Sequence, residues 1–191
     1  MHKPFDSSFI KLLKKGDQQA IAHWYDQSAP ALLGVCMRYC QSMQDAEDLL
    51  HNGLLKVLGV ISSFKYQGPG GFEAWVKRIL INTALNQIRA EAKNRNDRFN
   101  EAEVVDYIAD EDENSFPALE PEELISWIRE LPLGYRTVLN LYVFEGFTHK
   151  EIAKELNVAE NTSKSQLSKA RNMLRKRAAA LIKELEINNN G

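Results

Sequence analysis

Apolar residues recur at spacings of three and four along nearly the whole chain, and no alternation of apolar and polar positions persists long enough to make a strand, so the pattern predicts an all-α protein. Phe9, Leu12 and Leu13 open a short helix, and Ile21, Trp24, Tyr25, Leu32, Leu33, Cys36, Met37 and Cys40 mark a longer one. Ser42 with Asp45, or Asp45 with Asp48, is placed to cap a third helix, whose stripe runs through Ala46, Leu49, Leu50, Leu54, Val57, Leu58 and Ile61. The stretch KYQGPGG reads as a loop. Beyond it Phe72, Trp75, Val76, Ile79, Leu80, Thr83, Ala84 and Ile88 resume the helical period, with Lys77, Arg78, Asn82, Asn86 and Arg89 on the opposite face.

In the second half, Pro121 suits the first turn of a helix through Leu124, Ile125, Ile128 and Leu131, which Pro132 and Gly134 are expected to end. Val138, Leu139, Leu141, Tyr142 and Phe144 form the next helix, stopped by Gly146. Thr148 with Glu151 fits a capping box ahead of a short helix through Ile152, Ala153 and Leu156, and Asn157, Val158 and Ala159 supply a tight turn. A long last helix turns Leu167, Ala170 and Leu174 inward and leaves Lys164, Ser165, Ser168, Lys169, Arg171 and Arg175 outward. A short helix, a tight turn and a longer helix rich in hydroxyls and cations make a helix-turn-helix. Major-groove binding needs donors to phosphates and base edges on the early turns of the second helix, and Thr162, Lys164, Ser165, Ser168 and Lys169 provide them.

The net charge of -2 over 191 residues looks ill suited to a nucleic-acid partner, until its distribution is considered. Residues 1–95 and 124–191 are each net +4, whereas 96–123 hold one cation, Arg98, against eleven carboxylates. That middle stretch lacks sustained helical periodicity. The expected organisation is an N-terminal helical domain over 1–95, an acidic flexible linker over 96–120 and a C-terminal helix-turn-helix domain over 121–191.

Candidate chemistry adds little. Cys36 and Cys40 share a helix face and with His23 could hold a metal, but reduced thiols in or near a core are the expected state, and the four histidines lack zinc-ligand spacing. No metal site, cofactor or catalytic residue is assigned. A hydrolase is disfavoured because the carboxylates crowd into the linker and no nucleophile and base stand together. The start of the chain has no secretory h-region and no run approaches about 20 apolar residues, so the expected location is the cytoplasm without membrane insertion.

Two segments carry a family resemblance. LPLGYRTVLNLYVFEGFTHKEIAKELNVAENTSKSQLSKARNMLRKR resembles the C-terminal domain of extracytoplasmic-function sigma factors, with the pattern LPxxxRxVxxLxxxEGxSxxEIAxxLGVxxGTVKSRLxRAR. DAEDLLHNGLLKVL at 45–58 and FKYQGPGGFEAWVKRILINTALNQIR at 64–89 resemble the N-terminal domain of the same family. His51 and Asn52 stand in place of the usual Gln and Glu, Asn157 of a turn Gly, Ser163 of an apolar residue and Gln166 of an Arg, while Ala159 occupies an N-cap where Ser or Pro is common.

The resemblance implies a non-catalytic subunit that joins core RNA polymerase and selects promoter DNA, with an anti-sigma protein as a further partner. Glu47, Asp48, His51 and Asn52, beside Lys56, would dock on the clamp coiled coil of the polymerase's largest subunit. The 65–71 loop and the polar face of the following helix would engage and melt the minus-10 element: Tyr66 by stacking, Asn82 and Asn86 by base-edge or backbone contact, Lys77, Arg78 and Arg89 at phosphates. Trp75 belongs to the core. Thr162, Lys164, Ser165, Ser168, Lys169 and Arg171 would read the minus-35 element. The linker would enter the polymerase's cation-lined cleft. The competing reading is a stand-alone helix-turn-helix regulator whose first domain senses a ligand or dimerises.

Overall fold

The computed structural model describes residues 5–94 and 120–189, with 92–94, 121 and 184–189 described by backbone alone. Apart from Glu120, the expected linker at 96–120 lies outside the described residues. The chain divides into two compact units, Met1–Glu91 and Ala92–Gly191. The described residues contain no strand, and none of their helices is long and apolar enough to cross a membrane.

The first unit holds α1 (Ser7–Lys14), α2 (Gln18–Tyr39), α3 (Met43–Val60), a 3-10 turn (Ile61–Ser63) and α4 (Gly71–Asn94). Each of the first three helices starts on a short polar side chain that accepts an otherwise unpaired backbone N–H: Asp6 from Phe9 at 2.7 Å, Asp17 from Ala20 at 2.8 Å and Ser42 from Asp45 at 3.0 Å. Of the two caps the sequence allowed for α3, Ser42 is the one used. The core centres on Phe72, which is fully buried with Trp24, Phe64 and Trp75 around it at ring separations of 5.3 to 6.0 Å. Leu12 is exposed, because α1 buries Ile10 and Leu13, three residues apart, and Leu12 falls outside that stripe. Gly53 lets α3 approach α4 closely, since a Cβ there would lie 2.9 Å from Leu80 Cγ.

The second unit holds α5 (Pro121–Glu130), α6 (Leu133–Leu139), a π-helical segment (Asn140–Phe144), α7 (His149–Leu156) and α8 (Glu160–Asn189). Pro121 occupies the first turn of α5 as expected. α5 ends before Pro132 and Gly134, and Gly134 itself lies in the first turn of α6, where its missing side chain makes room for Gln166: a Cβ would meet Gln166 Nε2 at 3.0 Å. Thr148 and Glu151 form the full capping box. Asn157 closes α7 in the left-handed region, φ 53° and ψ 49°, which explains why Asn can replace Gly there.

Candidate polymerase and nucleic-acid interfaces

On α3 the apolar stripe of Ala46, Leu49, Leu50, Leu54 and Val57 is buried, which turns Glu47, Asp48, His51, Asn52 and Lys56 to the surface. Leu55 extends this exposed face at 67% exposure, one heptad beyond Asp48. His51 is anchored from α2: its ring lies near-parallel to that of Tyr25, and Nε2 is 3.3 Å from the Tyr25 hydroxyl. The face is therefore an acidic and polar rim around an apolar residue, the composition of a protein-binding patch.

The loop between the 3-10 turn and α4 exposes Tyr66 and places Gly68 at φ 119° and Gly70 at φ 78°, conformations that L side chains rarely adopt. Along α4, Arg78, Asn82 and Asn86 are exposed, while Lys77 and Arg89 are half-buried. Arg89 Nη1 donates to Asn86 Oδ1 at 2.9 Å, which leaves the Asn86 amide NH2 and a second lone pair of the oxygen for a ligand. Trp75 packs against Phe64 and Phe72, at 5.0 and 6.0 Å. Thr83, on the same stripe, is buried with its hydroxyl donating to the Ile79 carbonyl at 2.8 Å.

On α8, Thr162, Lys164, Ser165, Ser168, Lys169 and Arg171 are all half-buried and occupy the first turns of the helix, where the buried Ser163, Gln166, Leu167 and Ala170 fix their orientation. The cations already have partners within the unit. Lys164 pairs with Glu160 at 2.9 Å, Lys169 Nζ lies 6.0 Å from the Tyr135 ring centre, and Arg171 lies 5.8 Å from that of Tyr142. The Ser165 hydroxyl donates to the Thr162 carbonyl at 3.0 Å.

Sequence reasoning missed the polar joint behind this surface. His149, at the start of α7, stacks on Tyr142 at 4.6 Å and brings Nδ1 to 2.9 Å from the Ser163 hydroxyl on α8. Burial holds the imidazole below its usual pKa of 6.5, with Lys164 and Arg171 pushing the same way and Glu160 opposing them. Ser163 and Gln166 are both buried, so the two departures from the family pattern are packed inward against His149 and Gly134 respectively. The signal was present in the sequence as paired oddities, a polar residue at an apolar position together with a His at the facing helix start.

Burial, and secondarily Cys40, pushes the Cys36 thiol up to about 12, which leaves it a neutral packing group. Among the described residues no group of three or more His, Cys, Asp or Glu is placed to hold a metal ion.

Comparison with known proteins places this geometry. A family model described as Sigma-70 region 2 matches residues 24–94, and one described as Sigma-70, region 4 matches residues 122–174. The ECF RNA polymerase sigma factor SigW of Bacillus subtilis is 30% identical over 179 residues, which cover 87% of this chain and 93% of that protein. The RNA polymerase sigma-H factor of Pseudomonas aeruginosa is 26% identical over 190 residues, 94% of this chain and 96% of that one. A solved structure of the sigma factor RpoE of Bartonella quintana, in complex with the anti-sigma factor NepR, matches at 23% identity and a TM-score of 0.47, covering 81% of this chain and 94% of that one. With region 2 and region 4 matched in order and SigW 30% identical over nearly its whole length, the chain belongs to the extracytoplasmic-function family of RNA polymerase sigma factors.

Proposed function

We propose that this chain binds core RNA polymerase through the exposed face of α3 and directs initiation by melting the minus-10 element with the first unit and reading the minus-35 element with the second. The observation that supports this best is that the two candidate surfaces lie on different helices of the first unit. Asp48, His51 and Asn52 project from α3, whereas Asn82 and Asn86 project from α4, and the buried stripes of the two helices meet at Gly53 and Leu80. One helix can hold polymerase while the other holds DNA.

In this assignment residues 1–95 form the polymerase-binding and melting domain, 96–120 a linker and 121–191 the minus-35 domain. Glu47, Asp48, His51 and Asn52 meet the clamp. Tyr66 stacks on an unpaired base, Asn82 and Asn86 contact base edges or backbone, and Lys77, Arg78 and Arg89 meet phosphates. Extruding a base costs a few kcal/mol, which a pocket offering stacking and hydrogen bonds offsets. Thr162, Lys164, Ser165, Ser168, Lys169 and Arg171 read the upstream element from the major groove. The factor acts in the cytoplasm, without catalysis of its own, and an anti-sigma protein is its natural antagonist.

Reconstitution tests the assignment. The protein is added to core polymerase with genomic DNA, and the 5′ ends of the transcripts are sequenced. Expected is a set of starts, absent with core alone, that share two sequence elements upstream. DNA binding that is specific without core polymerase, and unaffected by it, would favour the stand-alone regulator.

A further inference from the structure

The loop at 65–70 is tied at both ends to one short segment at the start of the chain. On its entry side, the Lys14 ammonium of α1 donates to the carbonyl of Phe64 at 2.6 Å and to that of Ser62 at 3.3 Å, across about fifty residues of sequence. These carbonyls end the 3-10 turn that follows α3, where acceptors lack intrahelical partners and a cation is favoured. On its exit side, Glu73 in the first turn of α4 accepts the Phe5 backbone N–H at 3.3 Å. The Phe5 ring, itself buried and stacked on Phe9 at 4.8 Å, meets the Phe72 ring edge-on at 6.0 Å. Phe64, the last residue before the loop, meets the same Phe72 ring at 5.3 Å.

Between these anchors the loop closes on a turn in which the Gly71 N–H donates to the Gly68 carbonyl at 3.3 Å. Lys65, Tyr66, Gln67, Pro69 and Gly70 are exposed, and the positive φ at Gly68 and Gly70 is a conformation that glycine adopts without strain. A loop that must present a ring to one extruded base benefits from having its ends fixed in advance.

We infer that α1 staples the minus-10 loop, with Lys14 as a positioning residue for capture of the unpaired strand by Tyr66 and the α4 face. The inference rests on the assignment of this loop to the minus-10 element. Lys14 itself touches no DNA; it acts through the carbonyls of Ser62 and Phe64. Because its side chain is exposed, replacing the ammonium removes the two hydrogen bonds without opening a cavity in the core.

The experiment uses holoenzyme reconstituted with full-length protein and two probes from a mapped promoter: a single-stranded non-template oligonucleotide spanning the minus-10 element, and a duplex carrying the minus-35 element alone. Lys14→Met keeps the aliphatic stem and removes the donors; Lys14→Arg keeps charge and donors. Lys14→Met is expected to weaken single-strand binding roughly three- to tenfold, the range for losing exposed charge-assisted hydrogen bonds. Duplex binding and assembly with core are expected to be unchanged, and Lys14→Arg to restore most of the loss. Equal binding of the single strand by Lys14→Met and the parent would overturn the staple, as would equal weakening on both probes, which signals a general defect in the fold. Tyr66→Ala and Asn82→Ala separate the two levels. If they weaken single-strand binding and Lys14→Met does not, the staple fails alone; if neither they nor Lys14→Met has an effect, the minus-10 assignment fails with it.

Discussion

His149 Nδ1 lies 2.9 Å from the hydroxyl of Ser163, joining the first residue of α7 to the buried side of α8. The ring is held below its usual pKa by burial, then by Lys164 and Arg171 on α8, against the pull of Glu160. An unfolded chain therefore takes up this proton at a higher pH than the folded one. The stability contributed by the neutral ring is fully present above about 6.5 and is lost as pH falls from there through the lower folded value. Melting temperatures of the parent and of His149→Asn, followed by circular dichroism from about pH 7.5 to 5.5, are expected to diverge, the parent falling more steeply. Parallel curves would show that His149 contributes nothing to the pH dependence.

Asn157 adopts φ 53° at the end of α7, where a Cβ-bearing side chain without a polar tip is strained. Asn157→Ala is expected to destabilise the second unit by about 1 kcal/mol, and Asn157→Gly to be neutral or mildly stabilising. Chemical denaturation of the full protein, read by a probe on the second unit, orders the three variants; Ala equal to Gly would contradict the strain.

Asp48 sits on the exposed face of α3. Asp48→Lys is expected to weaken core polymerase binding by roughly tenfold or more while helical content stays constant. A calorimetric titration that returns the parent affinity would move the docking face elsewhere.

Lys164 and Lys169 are expected to meet phosphates at the minus-35 element. Replacing either with Ala is expected to lower the slope of log affinity against log salt by about 0.9 for each phosphate no longer neutralised, across different DNA sequences alike. An unchanged slope would show that the ammonium stays with its intramolecular partner, Glu160 in the case of Lys164.

The acidic run Asp110, Glu111, Asp112 and Glu113 lies outside the described residues, so its prediction rests on charge alone. Replacing the four with Asn and Gln is expected to leave core binding near normal and to alter the ratio of abortive to full-length transcripts, through weaker attraction to a cation-lined cleft. A ratio unchanged at low and high salt in single-round transcription would leave the stretch a solvated spacer.

Helix positions and caps were legible because the apolar period and the short polar caps act locally: Ser42, Thr148 and Pro121 each do what their place in the sequence suggests. Three features were not. Gly134 reads as a breaker by propensity, yet it begins a new helix, α6, at a place where Gln166 leaves no space for a side chain. The helix expected through Val138, Leu139, Leu141, Tyr142 and Phe144 changes to a π-helical turn at Asn140–Phe144, in which Tyr142 and Phe144 are each 37% exposed. The Lys14 bonds to Ser62 and Phe64 join residues about fifty apart, a distance at which no local pattern carries information. The side chains proposed to meet DNA were legible as types, whereas their present partners, such as Arg89 for Asn86, were not.

At Gly53 the backbone of α3 rests on the Leu80 side chain of α4 with no room for even a methyl group between them. Close-packed interiors have low compressibility, so a push on one helix at such a joint arrives at the other as movement, with little absorbed on the way. The helix that bears Asp48 and the helix that bears Asn82 thus touch at a point where one side chain is missing. Gly53→Ala would set a methyl group against the Leu80 side chain, so either that side chain or the spacing of the two helices must give.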